Sequence, residues 1–331
     1  MSGPVRIGRL SLVIEPAEPG QSPAAAVDVC VAGFLYLDLV FTGLEAVPAL
    51  GTEVRGEELR LAPGGVANVA VALRRLGRSV ALVSMLGADW AGDLVRAALA
   101  EEGIDTTGLV RPGWRTPVTT SFAYGSERGM VTFENLPRDW LPARIPLARH
   151  YFSWLDDSDY PCLDSRTAAH RSSLVADIGW DASGMWSQAV LDRLGDRDSF
   201  LPNAAEAMAF ARATDPESAA VRLADRCGTV VVKQGPDGAI AVRNGEKLCR
   251  PALRLSPVDT TGAGDVFDAA WIYGLDEDWN LAERLDFANL CAGLSTLRPG
   301  GSVAAPRWPE LHEWIATRPC PGDYRFLTSH P

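Results

Sequence analysis

Residues 259–265 combine small and acidic side chains in a pattern that can bind an anion and move a proton. The segment reads Asp-Thr-Thr-Gly-Ala-Gly-Asp, and the apolar residues after it fit one wide face of a helix over 264–275. Gly262, Ala263 and Gly264 therefore stand where this helix is predicted to begin. Small residues at that point leave backbone N–H groups accessible at the positive end of the helix dipole, so the sequence predicts an anion site.

Asp265 is the unexpected member of this segment, because a carboxylate repels a bound anion. Two unit charges about 4 Å apart cost roughly 4 kcal/mol at an effective dielectric of 20. The placement is explained if the acid takes a proton from an attacking hydroxyl group. It is equally explained if Asp265 is only an acidic residue of the first helical turn, where the dipole favours negative charge. The segment alone leaves both interpretations open.

A second helix is predicted to begin after Gly64 and Gly65, with apolar residues at helical spacing and Gly77 as its stop. In the ordinary interpretation, glycine makes the turn and Asn68 satisfies a backbone donor of the first turn. In the functional interpretation, the two glycines let a ligand approach the backbone, and Asn68 offers a donor and an acceptor to sugar hydroxyls. Asp38 follows the apolar strand predicted at 27–34, and ligands of open α/β sheets bind beyond the carboxyl ends of strands.

Composition excludes several classes of protein. The 331 residues carry a net charge of −11 and have a pI near 4.9, which disfavours nucleic acid and anionic membranes as partners. No apolar run is long enough to span a membrane. There is no P-loop, no complete GxGxxG and no HExxH. The six cysteines are scattered without metal-ligand spacing, which favours a reducing cytoplasm.

The order of predicted elements indicates one α/β domain. Strands and helices alternate with glycine between them, which predicts a doubly wound, mostly parallel sheet flanked by helices. Two β-rich segments at about 41–62 and 117–135 interrupt this alternation, and we expect them to form a small β lid. The predicted domain covers 27–320, preceded by an N-terminal extension (1–26) and followed by a C-terminal tail (321–331).

These features together resemble the PfkB (ribokinase-like) family of carbohydrate kinases from Val27 onward. The N-terminal signature of the family is matched by one set of residues: Gly64, Gly65, Asn68, Ala70, Gly77 and Gly87. The C-terminal signature is matched by another: Asp259, Thr260, Gly262, Ala263, Gly264, Asp265, Ala269 and Ala270. Val66 is bulkier than the residue often found there, and Trp271 replaces a smaller side chain.

The resemblance implies catalytic and acceptor-binding roles. Asp265 corresponds to the general base, and the amides of Gly262, Ala263 and Gly264 correspond to the anion hole for the transferred phosphoryl group. The acceptor-binding positions are Asp38, Gly64, Gly65 and Asn68. Arg128, in the lid hairpin, matches a position that approaches substrate, although a solvated turn arginine explains it as well.

The resemblance also implies nucleotide and metal positions. Asn203 and Glu206 match the N-x-x-E motif, in which the glutamate organises Mg²⁺ through water; a helix N-cap with an acid at its third position explains the pair equally well. The other nucleotide positions are Lys233, Gly235, Gly238, Thr260 and Asn289. Asp259 and Thr261, with the Gly300-Gly301-Ser302 loop, correspond to a monovalent-cation site that takes K⁺.

The expected activity is transfer of the γ-phosphoryl group of ATP, with Mg²⁺, to a hydroxyl of a sugar or sugar-like molecule. A nucleoside kinase of the same family is the alternative, for which Tyr124 and Phe133 of the lid are candidate aromatic contacts. A catalytically silent sensor of sugar or nucleotide is an alternative of another class. The resemblance further implies a homodimer formed through the lid, with neither nucleic acid nor membrane as a partner.

Overall fold

The protein folds into a large mixed sheet covered by helices, together with a smaller four-stranded sheet. This computed structural model describes residues 27–107, 109–111, 113–124, 127–135, 145–155, 172–179, 181, 183–195, 198–318 and 321–329. The strands are β1 (Val27–Ala32), β2 (Leu35–Thr42), β3 (Glu58–Gly65), β4 (Val80–Val83), β5 (Leu86–Gly87), β6 (Val110–Arg111), β7 (Val118–Tyr124), β8 (Glu127–Phe133), β9 (Ala148–Trp154), β10 (Ser173–Asp177), β11 (Ser199–Phe200), β12 (Thr229–Lys233), β13 (Ala239–Arg243) and β14 (Glu246–Arg250). The predicted extension at 1–26 lies outside the described residues.

The large sheet has the strand order β14-β13-β12-β11-β10-β9-β1-β4. All neighbours from β4 to β12 are parallel, and only β13 and β14 run antiparallel, as a hairpin. Asn244 and Gly245 turn that hairpin with φ of 51° and 78°, the two positive values that a type I′ turn requires. The predicted doubly wound sheet and this turn are confirmed.

Helices bury both faces of the large sheet, which explains why its central strands are continuously apolar. Along β1, Val29 and Val31 join one core cluster, whereas Cys30 and Ala32 join the other. The helices are α1 (Ala67–Arg75), α2 (Trp90–Glu101), α3 (Ala204–Ala211), α4 (Pro216–Leu223), α5 (Ala263–Asp276), α6 (Leu281–Ser295) and α7 (Trp308–Thr317). The buried side chains of α3 and α4 pack in the cluster that contains Cys30 and Ala32. Those of the other helices pack in the cluster that contains Val29 and Val31. None of the helices in the described part of the chain is long and apolar enough to cross a membrane.

The smaller sheet has the order β3-β2-β7-β8 and forms the lid predicted from sequence. The first predicted lid segment, 41–62, is too short at both ends, because β2 starts at Leu35 and contains Asp38, and β3 extends to Gly65. Residues 43–57, which we expected to be β-rich, contain no strand. Apolar and polar residues do not alternate regularly along these strands, because one end of the sheet, at Leu37, is buried in the main core, whereas the other end is exposed.

Asp89 ties the start of α2 to the segment that enters the lid. Its carboxylate accepts hydrogen bonds from the backbone N–H of Gly92, at 2.8 Å, and of Thr116, at 2.8 Å. Partial burial alone would raise the pKa of Asp89, but these two hydrogen bonds outweigh burial and lower it. The ionised carboxylate therefore stabilises the fold.

Replacing Asp89 with alanine is expected to lower the free energy of unfolding by about 1–2 kcal/mol at pH 7, because two backbone donors lose their acceptor. The folded-state pKa of Asp89 lies below the unfolded value of about 3.9. The loss of stability is therefore complete above a pH of about 3.9 and disappears as pH falls through the folded-state pKa. Urea denaturation at a series of pH values measures this loss of stability. The exposed Asp93→Ala in the same first turn is the control, and an equal loss in both variants would contradict the role of Asp89.

Candidate active site

The N-terminus of α5 meets α1 at the carboxyl edge of the large sheet. Gly262 caps α5 with φ of 70°, a left-handed conformation that favours glycine. A β-carbon at Gly262 would lie 3.2 Å from Asn68 Cγ and 3.2 Å from Gly301 Cα. The close approach of these segments therefore also favours glycine at this position.

A direct hydrogen bond connects the two glycine-preceded helices. Asn68 Nδ2 donates to Asp265 Oδ2 at 2.9 Å, and Asn68 is 95% buried. Asn68 Oδ1 is also buried and has no hydrogen-bond partner among the described residues. The amide thus orients the Asp265 carboxylate and retains an acceptor for a further donor, such as a hydroxyl group of a ligand.

Asp38 lies against Gly64, so the lid contributes an acid to the same cleft. A β-carbon at Gly64 would lie 2.1 Å from Asp38 Oδ2, which means that only glycine permits this approach. The next residue, Gly65, has φ of 66°, and a β-carbon there would be 2.2 Å from Phe34 O. Local backbone geometry therefore requires glycine at Gly65, whereas glycine at Gly64 leaves room for the Asp38 carboxylate.

Asp259 holds two loops around the start of α5. Its Oδ1 accepts from the Thr261 N–H at 2.8 Å, and its Oδ2 accepts from the Gly300 N–H at 2.9 Å. Ser302 Oγ donates to Pro63 O at 2.9 Å, which fixes the second loop to β3. These backbone contacts give Asp259 an anchoring function that operates without a bound cation.

Lys233 lies within a carboxylate cluster that sequence reasoning missed. Its Nζ contacts Asp177 Oδ2 at 2.8 Å and Asp268 Oδ1 at 3.0 Å. A β-carbon at Gly264 would lie 3.5 Å from the same ammonium group, so Lys233 stands beside the predicted anion hole. Burial opposes the charge, but Asp177 and Asp268 outweigh it and raise the pKa of Lys233. Lys233 is therefore a cation that two acids hold next to the start of α5.

Asp265 belongs to the same group of charges. One carboxylate oxygen from each of Asp177, Asp265 and Asp268 lies within 4.8 Å of the others. Burial, followed by the charge of Asp177, raises the pKa of Asp268 well above its ordinary value. In the sequence, Asp177 lies at the end of an apolar strand. Ligands of open α/β sheets bind beyond the carboxyl ends of strands, so the rule that pointed to Asp38 also points to Asp177.

Asn203 and Glu206 form a capping box at the start of α3. The Asn203 side chain accepts from the Glu206 N–H at 3.0 Å, and Glu206 Oε2 accepts from the Asn203 N–H at 2.8 Å. The structural interpretation of the N-x-x-E motif is thus confirmed. Burial, followed by the charge of Asp177, raises the pKa of Glu206 to about 7, even though the Asn203 hydrogen bond and Lys233 lower it.

The other predicted residues lie around this centre with different contacts. Asn289 Nδ2 donates to the carbonyl oxygens of Arg250, at 3.2 Å, and Pro251, at 3.3 Å, and so ties α6 to the end of β14. Gly235 and Gly238 shape the turn after β12 with φ of 57° and 96°. Thr260 is exposed, and its carbonyl accepts from the Ala263 N–H at 3.3 Å. Arg128 lies in β8, and its side chain, like that of Tyr124, is outside the description.

Trp154 is a third residue that the sequence analysis missed, after Asp177 and Asp268. It ends β9 directly opposite Asp177 of the neighbouring parallel strand, so the two side chains project from the same face of the sheet. Trp154 is half-buried and packs on the core cluster that contains α1 and α5. A partly exposed indole therefore lies next to the carboxylate cluster, where it can contact a bound molecule.

The residues present fit a nucleotide phosphate and Mg²⁺. Gly264 is exposed at a helix N-terminus, where the first N–H groups lack partners within the helix and attract anions. Oxygen ligands suit Mg²⁺. Glu206 lies close enough to Asp177 and Lys233 to interact electrostatically with both. By the family resemblance, Glu206 would hold this cation through water.

Comparisons with known proteins agree with this geometry. Residues 27–308 match the sequence profile of the pfkB family carbohydrate kinases. Aminoimidazole riboside kinase of Salmonella typhimurium is 28% identical over 284 residues, which cover 77% of this chain and 88% of that protein. Ribokinase of Bacillus subtilis is 27% identical over 300 residues, which cover 87% of this chain and 99% of that protein.

The fold is shared with solved structures. Arabidopsis thaliana ribokinase, complexed with ribose and ATP, superposes with a TM-score of 0.72 at 21% identity, covering 87% of this chain and 98% of the other. The family match spans most of the chain and includes both glycine-preceded helices. This chain therefore belongs to the pfkB family of carbohydrate kinases and has a ribokinase-like fold.

Proposed function

We propose that this protein transfers the γ-phosphoryl group of ATP to a hydroxyl group of a sugar or sugar-like molecule, with Asp265 as general base. The observation that carries the proposal is the hydrogen bond between Asn68 and Asp265, because it joins the acceptor-binding signature to the anion site. Asn68 orients the carboxylate, and the proton of the acceptor hydroxyl passes to Asp265 as the oxygen attacks phosphorus.

The N-terminus of α5 stabilises the charge of the transferred group. The N–H groups of Gly262 and Gly264 would bind phosphoryl oxygens, whereas that of Ala263 already makes a long hydrogen bond to Thr260 O. Mg²⁺, held through water by Glu206, neutralises phosphate charge when bound. The proposed nucleotide region comprises Asn203, Lys233, Gly235, Gly238, Thr260 and Asn289. Of these, Lys233 would not contact the nucleotide directly.

The lid supplies the acceptor side of the cleft. Asp38 and Asn68 Oδ1 would accept hydrogen bonds from acceptor hydroxyls. Gly64 leaves room for the Asp38 carboxylate, and Gly65 leaves room for the Phe34 carbonyl. Arg128 and the indole of Trp154 are further candidate contacts. The relatives include ribokinase, fructokinase of Zea mays and aminoimidazole riboside kinase, so we place free pentoses and hexoses first and ribosides, including nucleosides, second.

Asp265→Asn is expected to lower kcat at least 10³-fold, as is usual when a general base is lost, and to leave acceptor affinity within about threefold. The asparagine carbonyl still accepts from Asn68, so the geometry is retained. Coupled-assay turnover with a panel of pentoses, hexoses and nucleosides, together with calorimetric binding, measures both quantities.

The matched control for this substitution is Asp278→Asn, an exposed acid just beyond the same helix, which should retain wild-type turnover. Turnover that survives Asp265→Asn would refute the base assignment. Binding of sugar or ATP by the wild-type protein without turnover on any acceptor would instead support the alternative of a silent sensor.

We propose in addition that K⁺ activates the enzyme at the loops joined by Asp259 and Thr261. The proximity of the 300–302 loop to the anion site supports this, because a cation there would reinforce the field at the start of α5. Replacing K⁺ with a tetraalkylammonium salt at equal ionic strength is expected to lower kcat several-fold. An unchanged rate would exclude a K⁺ site.

A homodimer formed through the lid is the proposed assembly. By strand register, Leu59, Leu61, Val131 and Phe133 share one face of the smaller sheet, and they are 51%, 49%, 68% and 41% exposed. Covering these side chains with the same face of a second copy would remove apolar surface from water.

Light scattering at micromolar concentration is therefore expected to give about twice the 35.5 kDa chain mass. Leu61→Glu should yield the monomer, because it places a charge in the interface. Leu50→Glu, which changes an equally apolar residue in the 43–57 loop, should leave the dimer intact. A wild-type monomer at all concentrations would contradict this assembly.

The cytoplasm is the proposed location. Cys30, Cys227, Cys249 and Cys291 are free thiols, which suits a reducing compartment where ATP is also available. Fractionation of the native host with thiol labelling would test it, and recovery in a secreted fraction would contradict it.

A further inference from the structure

The charges below the start of α5 present an electrostatic problem for a general base. Asp177, Asp265 and Asp268 approach one another within 4.8 Å, and Glu206 adds a fourth acid on the side of α3. Carboxylates this close repel one another, so each one opposes ionisation of the others. A general base must be ionised, and this repulsion therefore opposes its function.

Lys233 is the single cation in the described surroundings of this group. Its side chain is 11% exposed, and its Nζ bonds the fully buried carboxylate of Asp268 and the mostly buried carboxylate of Asp177. Asp268 lies on α5 one turn after Asp265, so the countercharge reaches the base through this neighbour. Lys233 lies on β12 and Asp268 lies on α5, and both elements belong to the core of the fold.

The geometry of Lys233 differs from that of a phosphate-binding lysine. Two carboxylates already take its donors at 2.8 Å, 3.0 Å and 3.2 Å, and little of the side chain reaches the surface. A lysine has three donor hydrogens, and these contacts occupy them. Contact with ATP would require breaking a buried ion pair, which is strongly unfavourable.

We propose that Lys233 is a positioning residue that offsets Asp177 and Asp268, so that the neighbouring Asp265 carboxylate remains ionised and available as the base. This inference rests on the proposed function of Asp265, and it assigns to Lys233 a role distinct from nucleotide binding. Asp268 and Lys233 act as one unit, in which the acid anchors the lysine and the lysine compensates the acid.

The unit can be tested by charge-matched variants. Lys233→Met adds one uncompensated negative charge to the cluster, whereas Lys233→Met combined with Asp268→Asn has the same net charge as the wild-type cluster. Asp268→Asn alone leaves the cluster less negative. If Lys233 acts through charge, the single and double lysine variants must therefore differ, although both lack the ammonium.

Two measurements report on the protonation of Asp265. In ligand-free protein labelled with ¹³C at aspartate carboxyl carbons, the Asp265 resonance, assigned with Asp265→Asn, is expected to titrate about one pH unit or more higher in Lys233→Met. The acid limb of the kcat–pH profile should move in the same direction. The double variant should return both to near the wild-type position, with the KM for ATP changed less than about threefold throughout.

The outcomes separate the two roles. A titration that stays in place in Lys233→Met, with a tenfold or greater rise in the KM for ATP, would overturn the proposal and make Lys233 a nucleotide ligand. A shift that the double variant does not reverse would also overturn it, because charge would then not be the cause. The NMR titration requires no turnover, so it remains decisive even if the proposed kinase activity fails. Thermal melting confirms that each variant is folded. If Lys233→Met alone does not fold, the double variant still separates the two roles, because a tenfold or greater rise in its KM for ATP would make Lys233 a nucleotide ligand and overturn the proposal.

Discussion

The contact between Asn68 and Asp265 is the constraint on which this active site depends. It joins side chains 197 residues apart, each in the first turn of a helix that begins after a left-handed glycine. Those glycines allow each segment to approach the neighbouring segment closely enough for the two helix starts to meet. One amide thereby connects the part of the cleft that contains the lid with the part that attracts phosphate.

Charge places a second constraint on the same point. The protein is acidic overall, and its cleft is lined by acids as well, so phosphate must be attracted by backbone N–H groups and a divalent cation rather than by a basic surface. In our proposal the Lys233 ammonium serves a different purpose, because it bonds Asp177 and Asp268, the acids next to Asp265, rather than phosphate. Attraction of substrate and control of the base are thus assigned to different parts of the site.

Local signals in the sequence were sufficient for the fold and for part of the site. The glycines at 64, 65 and 262 were identified because small residues were expected where a helix begins, and Gly65 and Gly262 have positive φ. The capping box at Asn203 and Glu206 was equally visible, since its two members are three residues apart. Long-range contacts were not visible: Lys233 and Asp177 are separated by 56 residues, and only the parallel register of the sheet brings them together. The lid boundaries were misplaced for a related reason, because burial of one end of the sheet interrupts the alternation of apolar residues.

A crystal structure with a sugar acceptor and a non-hydrolysable ATP analogue would test the central claim most directly. We expect the phosphorylated hydroxyl to lie within about 3.2 Å of the Asp265 carboxylate, with the γ-phosphate at the N–H groups of Gly262 and Gly264 and Lys233 still bonded to Asp268. An acceptor bound away from Asp265, or a γ-phosphate held by Lys233 instead of α5, would contradict the account.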